Sequence, residues 1–278
     1  MFMKSAGWRL ASTGLAVILV RAGWIADPRL REGYLQHSTE AIELSLVMPV
    51  FNEEDCLDEL YRRLSSMVAT MPPVTCEILF VDDGSSDGSG AIIDTLAARD
   101  LRVRRVTFAR NRGQFPALLE GLREARGRHV ITLDADLQNP PEEIPRLIEA
   151  LESGYDLVTT RRRRRLDPLH RRVASRISNR ISSWIVGSDI PDHGCMLCGF
   201  HGDLARRIAT SPSSDRVQYL HALALAHAKH TIRLDVAHAE RFGGKSRYGI
   251  VGLLRLQVDA ARAFRHVRGE VRARESSS

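Results

Sequence analysis

The sequence predicts an α/β chain with a mostly parallel central sheet flanked by helices. Two observations carry this. Short apolar runs alternate with segments of helical period from residue 44 to residue 160, the rhythm of β-α-β units covered on both faces. The composition, 44% hydrophobic and 27% charged, is that of a globular chain with a buried core rather than a disordered or fibrous one.

Leu44 to Val50 is an apolar run closed by Asn52-Glu53-Glu54, as expected of a buried parallel strand that ends in a loop. Leu57, Leu60, Tyr61 and Leu64 then recur at helical spacing, and Glu77 to Val81 forms a second strand that ends at Asp82-Asp83-Gly84-Ser85. The pattern continues with a helix from Gly90 to Arg99, a strand from Val103 to Phe108, a helix from Gln114 to Ala125 and a strand from His129 to Leu133. A further strand is expected at Tyr155 to Thr160, then a helix around Leu169 to Val186 and a loop from Asp189 to Gly199. Past this the alternation weakens, although Val217 to His227 suits a helix, Thr231 to Ala237 a strand and Ile250 to Phe264 an amphipathic helix. Three parts follow: an N-terminal extension over 1–42, an α/β domain over 43–249, and an amphipathic helix with a basic tail over 250–278.

In parallel sheets ligands bind beyond the carboxyl ends of the strands. Polar clusters stand just there: Asn52-Glu53-Glu54, Asp82-Asp83-Gly84, Arg110-Asn111-Arg112-Gly113 and Asp134-Ala135-Asp136. Each one alone would pass for turn chemistry. Two carboxylates on the last loop can face one ion, and hard cations such as Mg²⁺ and Mn²⁺ are often held by one or two carboxylates together with substrate phosphates.

Lys and Arg exceed Asp and Glu by 40 − 34 = 6, and much of the excess lies in Arg161 to Arg165 with Arg171, Arg172, Arg176 and Arg180 close behind. Nucleic acid, anionic lipid or a phosphorylated substrate would suit such a patch, and so would a solvated surface. The four cysteines, Cys56, Cys76, Cys195 and Cys198, fit a reducing compartment. Cys195-x-x-Cys198 has no second Cys or His pair at zinc-ligand spacing. Leu10 to Val20 is a hydrophobic stretch of 11 residues, too short to span a bilayer, and it is read as a membrane-surface helix. A signal-peptide core is the other reading, disfavoured by Arg21 and the lack of a small-x-small cleavage site.

Four landmarks make the sequence recognisable: Val47-Met48-Pro49-Val50-Phe51-Asn52-Glu53-Glu54, Val81-Asp82-Asp83-Gly84-Ser85-Ser86-Asp87, Asn111-Arg112-Gly113-Gln114, and Leu133-Asp134-Ala135-Asp136-Leu137-Gln138-Asn139-Pro140-Pro141-Glu142. From about Glu43 to Arg255 the chain resembles the family 2 glycosyltransferases of GT-A fold, the nucleotide-diphospho-sugar transferases, and within them the polyprenyl-phosphate sugar transferases of dolichyl-phosphate mannose synthase type. Asp192-His193-Gly194-Cys195-Met196-Leu197, and His238-Ala239-Glu240-Arg241 followed by Ser246-Arg247-Tyr248, are most similar to the undecaprenyl-phosphate 4-deoxy-4-formamido-L-arabinose transferases. That family carries Arg where this chain has Cys198.

The resemblance implies an inverting, metal-dependent transferase that moves sugar from a UDP- or GDP-linked donor to a polyprenyl phosphate. Pro49, Asn52, Glu53 and Asp83 would line the nucleoside pocket, and Asp134 would face ribose and diphosphate. Asp136 and Gln138, with Asp134 beside them, would hold Mg²⁺ or Mn²⁺. Arg241, Ser246 and Arg247 would lie on a loop closing over the donor, hinged by Gly243 and Gly244. Arg162, Arg165, Arg171 and Ser175 match the acceptor-phosphate positions, and Asp192 would orient or deprotonate the acceptor, with loop capping as its alternative role. The partners implied are the nucleotide-sugar, the polyprenyl phosphate and a membrane surface, with no nucleic acid, and the place is the cytoplasmic face of the membrane as a peripheral protein. Two other functions stay open: transfer to a soluble or saccharide acceptor, and non-catalytic binding of a nucleotide-sugar.

Overall fold

The computed structural model describes residues 41–162, 195–212, 214 and 220–239. Its elements are β1 (Leu44–Val50), α1 (Glu54–Thr70), β2 (Cys76–Asp82), α2 (Ser89–Arg99), β3 (Val103–Thr107), α3 (Gln114–Glu124) and β4 (His129–Thr132). A single 3₁₀ turn (Pro141–Glu143) leads into α4 (Ile144–Glu152), and β5 (Leu157–Arg162), β6 (Cys198–His201), α5 (Gly202–Ala209), α6 (Leu220–His227) and β7 (Thr231–Val236) complete them.

The seven strands form one sheet in the order β3-β2-β1-β4-β6-β5-β7. β1 lies at its heart, parallel to β2 with Met48 opposite Phe80 and parallel to β4 with Leu46 opposite Ile131. Every residue of β1 is buried, which is why the strand reads as a continuous apolar run instead of an alternating one. Side chains still alternate across the sheet. Leu46, Met48, Ile78, Phe80 and Ile131 pack with Leu57, Leu60 and Leu64 of α1, Ile93 of α2 and Leu147 of α4. Val47, Leu79, Val81 and Val130 face the other way, onto α3, α5 and α6. Gly121 lets α3 sit close against β1, for a Cβ there would collide with the side chain of Val47.

Two expectations are corrected. The segment ending at Gly199 was expected to be a loop, yet Cys198 and Gly199 begin β6, which runs antiparallel between β4 and β5 with Thr132 opposite Cys198 and Val158 opposite Gly199. Four residues, one of them glycine, leave no usable periodicity, so only the two flanking strands define this one. The strand expected at Tyr155 to Thr160 instead spans Leu157–Arg162, so the first two arginines of the basic run belong to it. Sequence periodicity also passed over α4 and α5. The helix expected around Leu169 to Val186 and the amphipathic helix at Ile250 to Phe264 lie outside the described residues, as do the segments 1–40 and 267–278.

A buried polar network closes the amino end of the sheet. Glu77, 2% exposed, accepts hydrogen bonds from Ser45 Oγ at 2.7 Å, the Arg126 amide at 2.8 Å and Arg104 Nη1 at 2.8 Å. Burial by itself would push its pKa up; the Ser45 hydroxyl, the Arg126 amide and Arg104 outweigh it and hold the carboxyl below the ordinary glutamate range. A lowered folded pKa means that the unfolded chain binds the proton more tightly. Stability from Glu77 is therefore complete above the unfolded value of about 4.3 and is lost as pH falls through the lower folded value. Urea midpoints measured from pH 7 to pH 3 should show a Glu77→Gln variant weaker by about 1.5–3 kcal/mol at neutral pH, and a gap to wild type that narrows on acidification.

Candidate active site

β1, β2 and β4 are parallel neighbours, so the loops after them share one edge of the sheet. β6 runs antiparallel to both β4 and β5, and β7 runs parallel to β5. The carboxyl ends of β5 and β7 thus reach that same edge. Topology brings Asn52 and Glu53, Asp83, Asp134 to Gln138, Arg162 and His238 to one rim from distant points of the chain.

The first two loops are stitched together. Asn52 takes a left-handed φ of 55°, its amide donates to Ser85 Oγ at 3.1 Å, and its Oδ1 accepts from the Ser86 amide at 2.8 Å. The Glu53 amide donates to Ser89 Oγ at 2.9 Å, and the Glu54 amide, at the start of α1, donates to Asp87 Oδ2 at 3.2 Å. Pro49 is buried within β1, Glu53 is buried, and Asn52 is exposed at the rim. Gly84 is required where it stands: its φ is +69°, and a Cβ would come within 2.6 Å of the Arg110 carbonyl carbon.

Asp82 and Asp83 divide their work. Asp82, buried, pairs with Arg105 at 2.7 Å and caps the Ser85 amide at 2.9 Å. Asp83, 2% exposed, accepts from the Arg112 amide at 2.7 Å and the Gly113 amide at 2.9 Å. Asp83 is expected from the sequence to line the nucleoside pocket; what the fold shows is that it fixes the loop leading into α3. Arg112 in turn lies 4.8 Å over the ring of Phe108.

The acidic loop after β4 is held on several sides. Asp134 Oδ1 accepts from Gln114 Nε2 at 2.5 Å, so the first residue of α3 sets that carboxylate. Asp136 is 5% exposed, and its Oδ1 accepts from the Gln138 amide at 3.1 Å. Between them Leu137 adopts a left-handed φ of 62°, an uncommon conformation for a bulky residue. The Gln138 carbonyl accepts from the Ala239 amide at 3.0 Å and lies 3.1 Å from His238 Nδ1. His238 and Ala239, just past β7, are therefore tied directly to this loop.

Among the described residues, no three Asp, Glu, His or Cys side chains converge as a metal cluster. Two carboxylates and an amide on one tight turn still fit a hard cation whose remaining positions are filled by phosphate and water. Oxygen donors of this kind suit Mg²⁺ or Mn²⁺.

Arg161 forms a two-pronged pair with Asp235 of β7, 2.8 Å on each prong, so the first arginine of the run ties β5 to β7. Arg162, half-buried, follows at the strand end. Arg165, Arg171, Ser175, Asp192, Arg241, Ser246 and Arg247 lie outside the described residues. Cys198 is 2% exposed, and its thiol is 3.4 Å from His221 Nε2. Burial, with smaller contributions from Cys195 and Asp134, pushes this thiol well above the usual cysteine range. It packs among the buried residues of the core beside Phe200 and Leu157. Sequence reasoning passed over Gln114 and His238 as contributors. Both stood within recognised motifs, but reach toward the acidic loop is a tertiary property.

Comparison with known proteins places this geometry. The family described as glycosyl transferase family 2 matches residues 45–209. The chain is 43% identical over 217 residues to an undecaprenyl-phosphate 4-deoxy-4-formamido-L-arabinose transferase of Edwardsiella ictaluri, a match covering 78% of this chain and 66% of that protein. A protein of the same name from Aeromonas hydrophila is 40% identical over 224 residues, covering 80% and 68%. Among solved structures, Staphylococcus aureus TarS 1-349 in complex with UDP-GlcNAc aligns with a TM-score of 0.52 at 19% identity, over 85% of this chain and 73% of that one. Glucosyl-3-phosphoglycerate synthase of Mycobacterium tuberculosis, in complex with Mn²⁺, UDP and glucosyl-3-phosphoglycerate, aligns with a TM-score of 0.55 at 18% identity, over 85% and 84%. With the carboxylate loop at the rim of a seven-stranded sheet and these likenesses, the chain belongs to glycosyl transferase family 2 and has the GT-A fold.

Proposed function

We propose that this chain is an inverting glycosyltransferase that moves a sugar from a UDP- or GDP-linked donor to a polyprenyl phosphate, of the undecaprenyl kind, with the help of Mg²⁺ or Mn²⁺. The observation that carries the reading is the Asp134–Asp136–Gln138 turn, at the rim shared with Asp83 and Arg162, in a chain 43% identical to a transferase named for undecaprenyl phosphate. Asp136, Gln138 and Asp134 would hold the cation, which supplies charge neutralisation for the departing diphosphate without proton transfer. Pro49, Asn52, Glu53 and Asp83 shape the nucleoside end. Arg241, Ser246 and Arg247 are assigned to the loop over the donor.

On the acceptor side Arg162, Arg165 and Arg171, with Ser175, are assigned to the phosphate. Guanidinium forks match phosphate oxygens in pairs. A phosphate monoester has a second pKa of about 6 and is mostly dianionic at neutral pH. As a nucleophile it needs orientation more than a base, and Asp192 is assigned to that task. The test is a labelled-donor screen with undecaprenyl phosphate and Mn²⁺ or Mg²⁺, reading product in the organic phase. Label that passes only to water or to soluble saccharides, with none in lipid, would overturn the lipid acceptor.

No described helix is long and apolar enough to cross a membrane. We infer peripheral attachment at the cytoplasmic face, through residues 10–20, the 250–264 segment and the surrounding arginines. Membrane-bound protein should come off as salt is raised from about 0.05 to 1 M, because the Debye length shrinks to about 3 Å. Release by detergent alone would show deeper insertion, and full solubility at low salt would count against a membrane acceptor.

A further inference from the structure

Three segments from the proposed site meet at one buried point. Asn139, 3% exposed, follows Gln138 on the acidic loop. Cys195, fully buried, opens the run into β6 and directly follows the segment bearing Asp192. Thr160, 3% exposed, lies on β5 two residues before Arg162. The Cys195 thiol donates to Asn139 Oδ1 at 3.3 Å and touches Thr160 Oγ1 at 2.9 Å. The Thr160 hydroxyl donates to the Leu197 carbonyl at 2.6 Å, and Thr132 Oγ1 donates to the Met196 carbonyl at 2.8 Å. This polar cluster therefore spans β4, β5 and the entry to β6.

The acidic loop needs such a hold. Leu137, 1% exposed, sits in the left-handed region at φ 62°, a strained state that persists only where its surroundings over-determine it. On one side the Asp136 carboxylate ties back to the Gln138 amide; on the other, Asn139 is fastened through its side chain to the thiol. We propose that Cys195, bridging Asn139 and Thr160, is a positioning residue that sets the cation-holding turn relative to the strand end bearing Arg162. It works through its neighbours and touches no substrate.

The proposal rests on the reading that this turn holds the cation, and the experiment separates the two. Mn²⁺ binding to the full chain is titrated by electron paramagnetic resonance in the presence of UDP and, separately, of GDP, alongside steady-state kinetics and thermal melts, for wild type, Cys195→Ala, Cys195→Ser and Thr160→Val. Cys195→Ala is expected to weaken Mn²⁺ binding roughly tenfold and to lower kcat, with Cys195→Ser recovering most of both because it keeps a polar atom at the site. A purely packing role would lower the melting temperature and leave Mn²⁺ affinity and kcat unmoved, and that result overturns the proposal. Should Cys195→Ala fail to fold, Thr160→Val reads the same link from the other end, with the same two outcomes. Wild type that binds no Mn²⁺ with either UDP or GDP present would remove the cation reading itself, whatever the variants do.

Discussion

Asp136→Ala should lower sugar transfer on the order of a thousandfold, the equivalent of about 4 kcal/mol of charge stabilisation lost when the diphosphate departs. The carboxylate is 5% exposed and sits on a turn that its own Oδ1 helps to shape through the Gln138 amide. The substitution therefore takes away both the proposed cation ligand and the turn's internal brace. Asp136→Asn separates these roles, because its amide oxygen can still accept from Gln138 while the negative charge is gone. Both variants should show this loss, and Asp136→Asn should keep the wild-type melting temperature. Excess EDTA should silence wild type to a similar degree. Full activity in EDTA, or in Asp136→Ala, would sink the metal-dependent reading.

Arg162→Ala should raise the acceptor KM roughly ten- to a hundred-and-fifty-fold, the equivalent of about 1.5–3 kcal/mol for one charge-assisted contact to a phosphate dianion. Donor affinity by calorimetry should change little. Arg162→Lys should recover part of the loss, because a point charge survives while the planar fork does not. Arg161 is the internal control. It already meets Asp235 through both prongs, with side chains 48% and 37% exposed, so Arg161→Ala should cost at most about 1 kcal/mol of stability and leave the acceptor constant in place. If donor affinity falls in Arg162→Ala while the acceptor constant holds, the residue belongs to the diphosphate. If neither moves, the strand end is a solvated surface.

By itself the sequence determined the alternation of β1 to β4 with their helices, because buried parallel strands and amphipathic helices leave opposite periodicities in the chain. It also determined the polar clusters after β1, β2 and β4, since loop residues that must carry charge or turn sharply stand out between apolar runs. Tertiary structure alone decided what those clusters do to one another. Which of two adjacent aspartates pairs with Arg105 and which holds the Arg112–Gly113 amides follows from a one-residue difference in facing at the end of β2. The antiparallel β6 was legible to neither period, being four residues long and defined only by the strands on each side. Its position between β4 and β5 places Cys195 beside Asn139 and Thr160. Partners 35 and 56 residues apart in sequence leave no local pattern, because their meeting is fixed by the order of strands in the sheet and not by the period of any one of them.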